Sequence, residues 1–350
     1  MKPFSWSLIS SFALTAAGSP IGAPGMLLNG RDTASIDSST LDTLKLYAQY
    51  AGASYCNNLD STVGSVVTCS GNACPDVTAA GATITATYGG SATDIQGFVS
   101  TDSKNQVIVV SVRGSHSIRN WITDFEFIQD DCSNLASGCL VHSGFAKAWG
   151  EISDAVLGAV QTAKAANPGY RIVFTGHSLG AAVSSLGAAY ARQAGLSVDI
   201  INYGSPRVGN AAFANFVSNQ AGVEWRVTHL DDPVPRLPPI ILNYAHTTPE
   251  YWLSDGNALT TDYSVSDVKV CDGVTSIGCN AHTLGLDILA HLYYLDPIAG
   301  CSPIEIALKK RDDGDYLWWQ ATSPATDVSD DELEAKLNDW VQQDMDAMSS

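Results

Sequence analysis

The chain has 350 residues, 45% of them apolar, which suits one large domain or two ordinary ones with a sizeable core. Its formal net charge is −18 and it carries no basic patch, which excludes a nucleic-acid binder and disfavours strongly anionic membranes. The charge is uneven: between Asp312 and Ser350, Lys336 alone stands against eleven acidic residues.

In chain order, residues 1–18 read as a secretory signal peptide. Lys2 gives the positive start, Phe4 to Ala16 the apolar core, and Thr15-Ala-Ala-Gly18 the cleavage region. That run is too short to span a bilayer and no later stretch is long enough, so no transmembrane segment is expected. The Gly/Pro-rich residues 19–31 read as a pro-segment ending near Arg31, residues 32–308 as the body, and 309–350 as an acidic C-terminal extension. Eight cysteines in a secreted chain suggest four disulfides. Cys69/Cys74, Cys132/Cys139 and Cys271/Cys279 sit close in sequence, which leaves Cys56 and Cys301 to tie the start of the body to its end. No spacing resembles a zinc site.

A helix is expected over Ser39–Ala53, where Leu41, Leu44, Tyr47, Ala48 and Ala51 recur at helical spacing behind Ser39 or Thr40 as N-cap. Ile95–Thr101 and Gln106–Val112 read as strands, the second continuous enough to be central and covered on both faces. It runs into Arg113-Gly-Ser-His116, a strand end and a glycine, a suitable place for an oxyanion donor. In Ser117–Asp124, Ile118, Trp121 and Ile122 fall at i, i+3 and i+4, so one face of a short helix is apolar. That face fits either a surface helix packed on the core or a lid.

Phe145–Ala166 reads as a long helix stopped by Asn167-Pro-Gly169. A strand, Tyr170–Thr175, then turns through Gly176-His-Ser-Leu-Gly180 into a small-residue helix, Ala181–Ala194. Strand, sharp turn between two glycines, then helix is the context that makes G-x-S-x-G a nucleophile elbow, with Ser178 at its tip. Strands follow at Val198–Tyr203 and Trp225–Leu230, the latter ending at Asp231-Asp232-Pro-Val-Pro. Alternating strands and helices argue for an α/β fold with its chemistry at strand ends.

A serine hydroxyl needs a general base, and the base needs an orienting carboxylate. In the order Ser, acid, His, the acid is Asp231 or Asp232, and the base is His246, His282 or His291. His177 is adjacent to Ser178 and points elsewhere, while His116, His142 and His229 precede the acid. Spacing does not choose among the rest.

At this point the chain resembles the secreted fungal lipases of the class 3 type, which are α/β hydrolases. The matching motifs are Arg113-Gly-Ser-His-Ser-Ile-Arg-Asn-Trp121, Gly176-His-Ser-Leu-Gly180, Tyr203-Gly-Ser-Pro-Arg-Val-Gly-Asn210, Asp232-Pro-Val-Pro-Arg-Leu-Pro-Pro239, Pro249-Glu-Tyr-Trp252 and Ala290-His-Leu-Tyr-Tyr294. The resemblance implies an α/β-hydrolase fold with a mixed central sheet and a short helical lid at about 117–124. It implies Ser178 as nucleophile, Asp232 as acid and His291 as base, with Ser115 and the Leu179 N–H as oxyanion hole. Cys56–Cys301, Cys69–Cys74 and Cys132–Cys139 match the family pattern. It further implies an extracellular monomer that needs no metal or cofactor and takes acylglycerols or phospholipids at a lipid interface. Two departures stand out. Pro233 replaces the aliphatic residue many relatives carry after the acid, and Cys271/Cys279 is an addition shared with related feruloyl esterases.

The resemblance leaves the ester open between acylglycerols, a phospholipase A1 activity on the same site and feruloyl-type aromatic esters; Trp121 on the lid argues against the last. A catalytically dead lipid-binding module is the remote alternative. In the extension, Lys309-Lys-Arg311 is a dibasic processing signal. Ser329 and Glu332 form a capping-box match ahead of the stripe Leu333, Leu337, Trp340 and Val341. That helix is either a solvated tail or a flap over apolar surface near the lid.

Overall fold

The computed structural model describes residues 36–115, 118–123, 126–301, 306–310, 316–320 and 328–349, the side chains of 119, 120, 306–310 and 316–320 excepted. The expected signal peptide and pro-segment, with His116, Ser117, Asp124 and Arg311, lie outside the described residues. Helix α1 (Ser38–Ala53) starts one residue earlier than the periodicity suggests. Its cap is Asp37, not Ser39 or Thr40: the carboxylate accepts the Thr40 N–H at 2.7 Å and so satisfies a first-turn donor. After α2 (Pro75–Ala80) come the antiparallel strands β1 (Thr83–Gly89), β2 (Gln96–Asp102) and β3 (Val107–Val112).

Next are α3 (Ile118–Thr123), a small hairpin of β4 (Gln129–Asp131) and β5 (Leu140–His142), and the long α4 (Ser143–Ala166). Strands then alternate with helices: β6 (Arg171–His177), α5 (Leu179–Gln193), β7 (Val198–Tyr203), α6 (Ala211–Ser218) and β8 (Glu224–His229). The described chain ends with β9 (Glu250–Leu253), β10 (Val268–Cys271), α7 (Ile288–Leu292), a hairpin of β11 (Ile306–Lys310) and β12 (Tyr316–Gln320), and α8 (Asp330–Ser349).

The main sheet runs β1-β2-β3-β6-β7-β8-β9-β10. Strands β3, β6, β7, β8 and β9 are parallel, and antiparallel strands close both edges. Strand β3 shows why a continuous apolar run suits its centre. Val107 and Val109 point into the layer with α1, while Ile108, Val110 and Val112 point into the layer with α4 and α5. A period of two on a strand covered on both faces needs apolar residues at every position.

Parallel pairing also aligns strand ends. Val112 lies beside Gly176, His177 beside Tyr203, and Tyr203 beside Val227. The segments leaving β3, β6, β7 and β8 therefore emerge at one edge, bringing Ser115, Ser178 and Asp232 to the same end of the sheet. The four disulfides form in the expected pairs, Cys56–Cys301, Cys69–Cys74, Cys132–Cys139 and Cys271–Cys279. The capping box of α8 also forms: Ser329 Oγ accepts the Glu332 N–H at 3.3 Å and Glu332 Oε2 accepts the Ser329 N–H at 3.0 Å. Lys309 and Lys310 of the dibasic signal lie on β11, opposite Leu317 and Tyr316.

Candidate active site

Ser178 sits between β6 and α5 with φ 59° and ψ −129°, a conformation side chains rarely adopt. The two flanking glycines have a steric reason. A Cβ on Gly176 would lie 2.5 Å from the Gly180 carbonyl carbon, and one on Gly180 would lie 2.2 Å from Val112 O. The turn is thus so tight that its own ends touch, and α5 is pressed onto the end of β3. The Ser178 N–H donates to Tyr203 O at 3.0 Å, which pins the turn to β7. Helix α5 begins at Leu179, so the Leu179 N–H belongs to the first turn, where amides lack an intrahelical acceptor.

Of the aspartates and histidines left open by spacing, the structure pairs Asp232 with His291. His291 Nδ1 lies 2.8 Å from Asp232 Oδ2, and both side chains are fully buried. Because a carboxylate only accepts, Nδ1 carries a proton and donates it to Asp232. Asp232 Oδ1 accepts the Val234 N–H at 2.8 Å, and Tyr294 Oη–H donates to Oδ2. Pro233, with φ −72°, fits this turn without disturbing it. Asp231 stays partly exposed, burial raises its carboxyl above the usual range, and its carbonyl accepts from Arg236. His246 Nε2 donates to Pro235 O at 2.6 Å, and His282 packs edge-on against Trp252.

Two other histidines brace α7 at His291. His177 Nε2–H donates to the His291 carbonyl at 2.8 Å while Tyr55 Oη–H donates to its Nδ1 at 2.9 Å. His229 Nδ1–H donates to the Ala290 carbonyl at 2.8 Å while Tyr263 Oη–H donates to its Nε2 at 2.7 Å. Burial lowers both imidazoles from the ordinary histidine value, and the neighbouring His291 lowers His177 further, so both are neutral donors. A helix of five residues leaves its last carbonyls without intrahelical partners, and these two histidines supply them. Asp287 caps the other end by accepting the Ala290 N–H at 3.1 Å, and burial pushes its carboxyl up to about 6.

Two of the buried polar atoms that lack a hydrogen-bond partner belong to the elbow serine and to His291. Ser178 Oγ and His291 Nε2 are both fully buried and unbonded. Such atoms destabilise a fold and call for another explanation. Ile118 and Ile122 of α3 share an apolar cluster with Val234, Leu237, Leu289 and Leu292, so the expected apolar face is turned inward. Trp121, half-buried, lines a cavity of about 780 Å³ together with Leu179, Phe145 and His142. Ser115, half-buried, lies at the exit of β3. Among the described residues the grouping with metal-ligand spacing is Cys56, Cys69 and Cys301, whose sulfurs are in disulfides.

Of the residues named from the sequence, Asp232 and His291 meet here, and the structure adds Tyr294, His177 and His229 as their supports. Tyr294 lay inside a quoted motif but carried no signal of its own, since a tyrosine two residues past a helix reads as core. Asn280 was also missed: its side chain donates to Asp232 O and Leu230 O, both at 3.0 Å, and the extra Cys271–Cys279 bridge anchors the turn that carries it.

The family description "Lipase (class 3)" matches residues 109–242, and "Lipase 3 N-terminal region" matches 22–86. The chain is 47% identical over 311 residues to the secreted mono- and diacylglycerol lipase 1 of Fusarium solani, covering 89% of this chain and 88% of that one. It superposes on the crystal structure of the mono- and diacylglycerol lipase from Aspergillus oryzae with TM-score 0.72 and 38% identity, covering 76% of this chain and 100% of that one. It also matches a triacylglycerol lipase whose catalytic centre is formed by a serine protease triad, with TM-score 0.66 and 30% identity, over 78% of this chain and 100% of that one. The fold is that of the α/β hydrolases.

Proposed function

The chain belongs to the class 3 lipase family, and from that premise we propose that it is a secreted lipase hydrolysing acylglycerol esters at a lipid–water interface, with Ser178 as nucleophile, His291 as base and Asp232 as orienting acid. His291 Nε2 removes the Ser178 proton as Oγ attacks the ester carbonyl. Asp232 holds the ring in the required tautomer and stabilises the imidazolium. The oxyanion meets the Leu179 N–H at the start of α5 and Ser115, each such donor contributing about 3–4 kcal/mol to the transition state. The alcohol leaves with the proton from His291, and water attacks the acyl-enzyme by the same steps reversed.

The observation that carries the interfacial reading is burial. Ser178 and His291 have no exposed surface, and Ile118 and Ile122 turn the apolar face of α3 into the cluster that holds Leu289 and Leu292, the neighbours of His291 on α7. Substrate reaches Oγ only if α3 moves, and an apolar face turned outward is stable against lipid rather than water. The initial rate on tributyrin is expected to rise steeply once droplets form, with little turnover of soluble methyl ferulate. Smooth saturation below the solubility limit with strong ferulate turnover would replace this reading with that of an open-site esterase.

A further inference from the structure

We propose that α8 covers the surface on which lipid chains rest in the open enzyme, and so competes with lipid within the molecule. This rests on the lipase reading above and identifies what the interface must displace. Leu333 and Leu337 are buried in the same apolar cluster as Ile118 and Ile122 of α3 and Ile288, Leu289 and Leu292 of α7, with Trp340 packed against it. Three further contacts fix the helix in place. The Trp340 ring meets Phe127, just beyond α3, with centroids 5.2 Å apart. Asn338 Oδ1 accepts the Gly285 N–H at 2.8 Å, in the segment leading to His291. Asp344 accepts the Ile240 and Ile241 N–H groups at 2.8 and 2.9 Å and pairs with buried Arg207 at 3.4 Å, in the segment following Asp232.

Helix α8 therefore bridges the segments carrying lid, base and acid. Its stripe is apolar and its outer face is acidic, with Asp331, Glu332, Asp339 and Asp346 exposed. Such a helix is marginal alone and stays folded through its buried face. Once the lid rolls back, the stripe and an acyl chain seek the same leucines and isoleucines. The acidic outer face keeps the displaced helix in water and makes neutral lipid the better displacer.

The test has two arms on the full chain. In Leu333→Ser with Leu337→Ser, turnover of soluble p-nitrophenyl butyrate is expected to rise at least fivefold, and the jump on tributyrin droplets to shrink. An unchanged or lower butyrate rate in the variant overturns the proposal. In the second arm, hydrogen exchange is followed in Ser178→Ala protein with phosphatidylcholine vesicles containing diolein, so no hydrolysis intervenes. Amides of α8 are expected to exchange at least tenfold faster when vesicles are added. Protection of α8 that persists while residues 118–123 lose theirs overturns it. Absence of butyrate hydrolysis in the wild-type protein would instead sink the lipase reading and leave the exchange arm to judge α8 by itself.

Discussion

Ser178→Ala is expected to lower kcat on every carboxylic ester by about a millionfold, the scale seen when a serine hydrolase loses its nucleophile. Its effect on folding should have the opposite sign. The hydroxyl is buried without a hydrogen-bond partner, so removing it takes away a desolvated polar group worth about 1 kcal/mol. The backbone strain at φ 59° is unchanged, because alanine and serine both carry a Cβ. A rise in Tm of about 2 °C is therefore expected beside the loss of activity, a direct reading of stability given up for function. Thermal unfolding and single-turnover kinetics on the same preparation check both halves. An active Ser178→Ala chain would remove the assignment.

Asp232→Asn is expected to reduce kcat by about 10⁴-fold, whereas Asp231→Asn should change it by no more than about threefold. The asparagine oxygen can still accept the Val234 N–H that Asp232 Oδ1 accepts. The amide nitrogen then faces His291 Nδ1 and Tyr294 Oη, where the carboxylate accepted from both. Two donors cannot share that position, so His291 turns to the tautomer with Nδ1 bare and Nε2 protonated. That tautomer has no lone pair to offer Ser178. Nitrogen-15 shifts of His291 report the exchange of tautomers directly, and a larger loss in Asp231→Asn would reverse the choice between the two aspartates.

How much of this was legible in the sequence differs by element. The elbow was readable because its glycines are forced by contacts within the same few residues, so the pattern and the geometry are one fact. The central strand β3 was readable because a strand covered on both faces writes its burial into every residue. The base was not readable from spacing. His246 lies in irregular chain, His282 ends a single short turn and His291 sits in the five-residue α7, so none has a periodic context, and what separates them is the folding of residue 291 onto residue 232 across the intervening strands β9 and β10. Those strands, four residues each, are too short to show an alternation.

The resemblance to a known family supplied the choice that periodicity could not. The stripe on α8 was legible as apolar, but a stripe does not name what it packs against. Asp344 shows this most sharply. In sequence it is one more acid in an acidic tail, and in the fold it is a buried partner of Arg207. The cap of α1 failed for a smaller reason: four residues in a row, Asp37, Ser38, Ser39 and Thr40, have capping side chains, and only the backbone angle at Asp37 selects among them.

The central claim is that Ser178 is the nucleophile activated by His291. It is tested most directly by trapping with diethyl p-nitrophenyl phosphate in the presence of neutral detergent micelles, followed by peptide mapping. The account predicts one p-nitrophenolate released per chain, loss of ester hydrolysis in step with that release, and a phosphoryl adduct on Ser178 alone. An unmodified Ser178 in the inactivated chain, or an adduct on another serine, would contradict it.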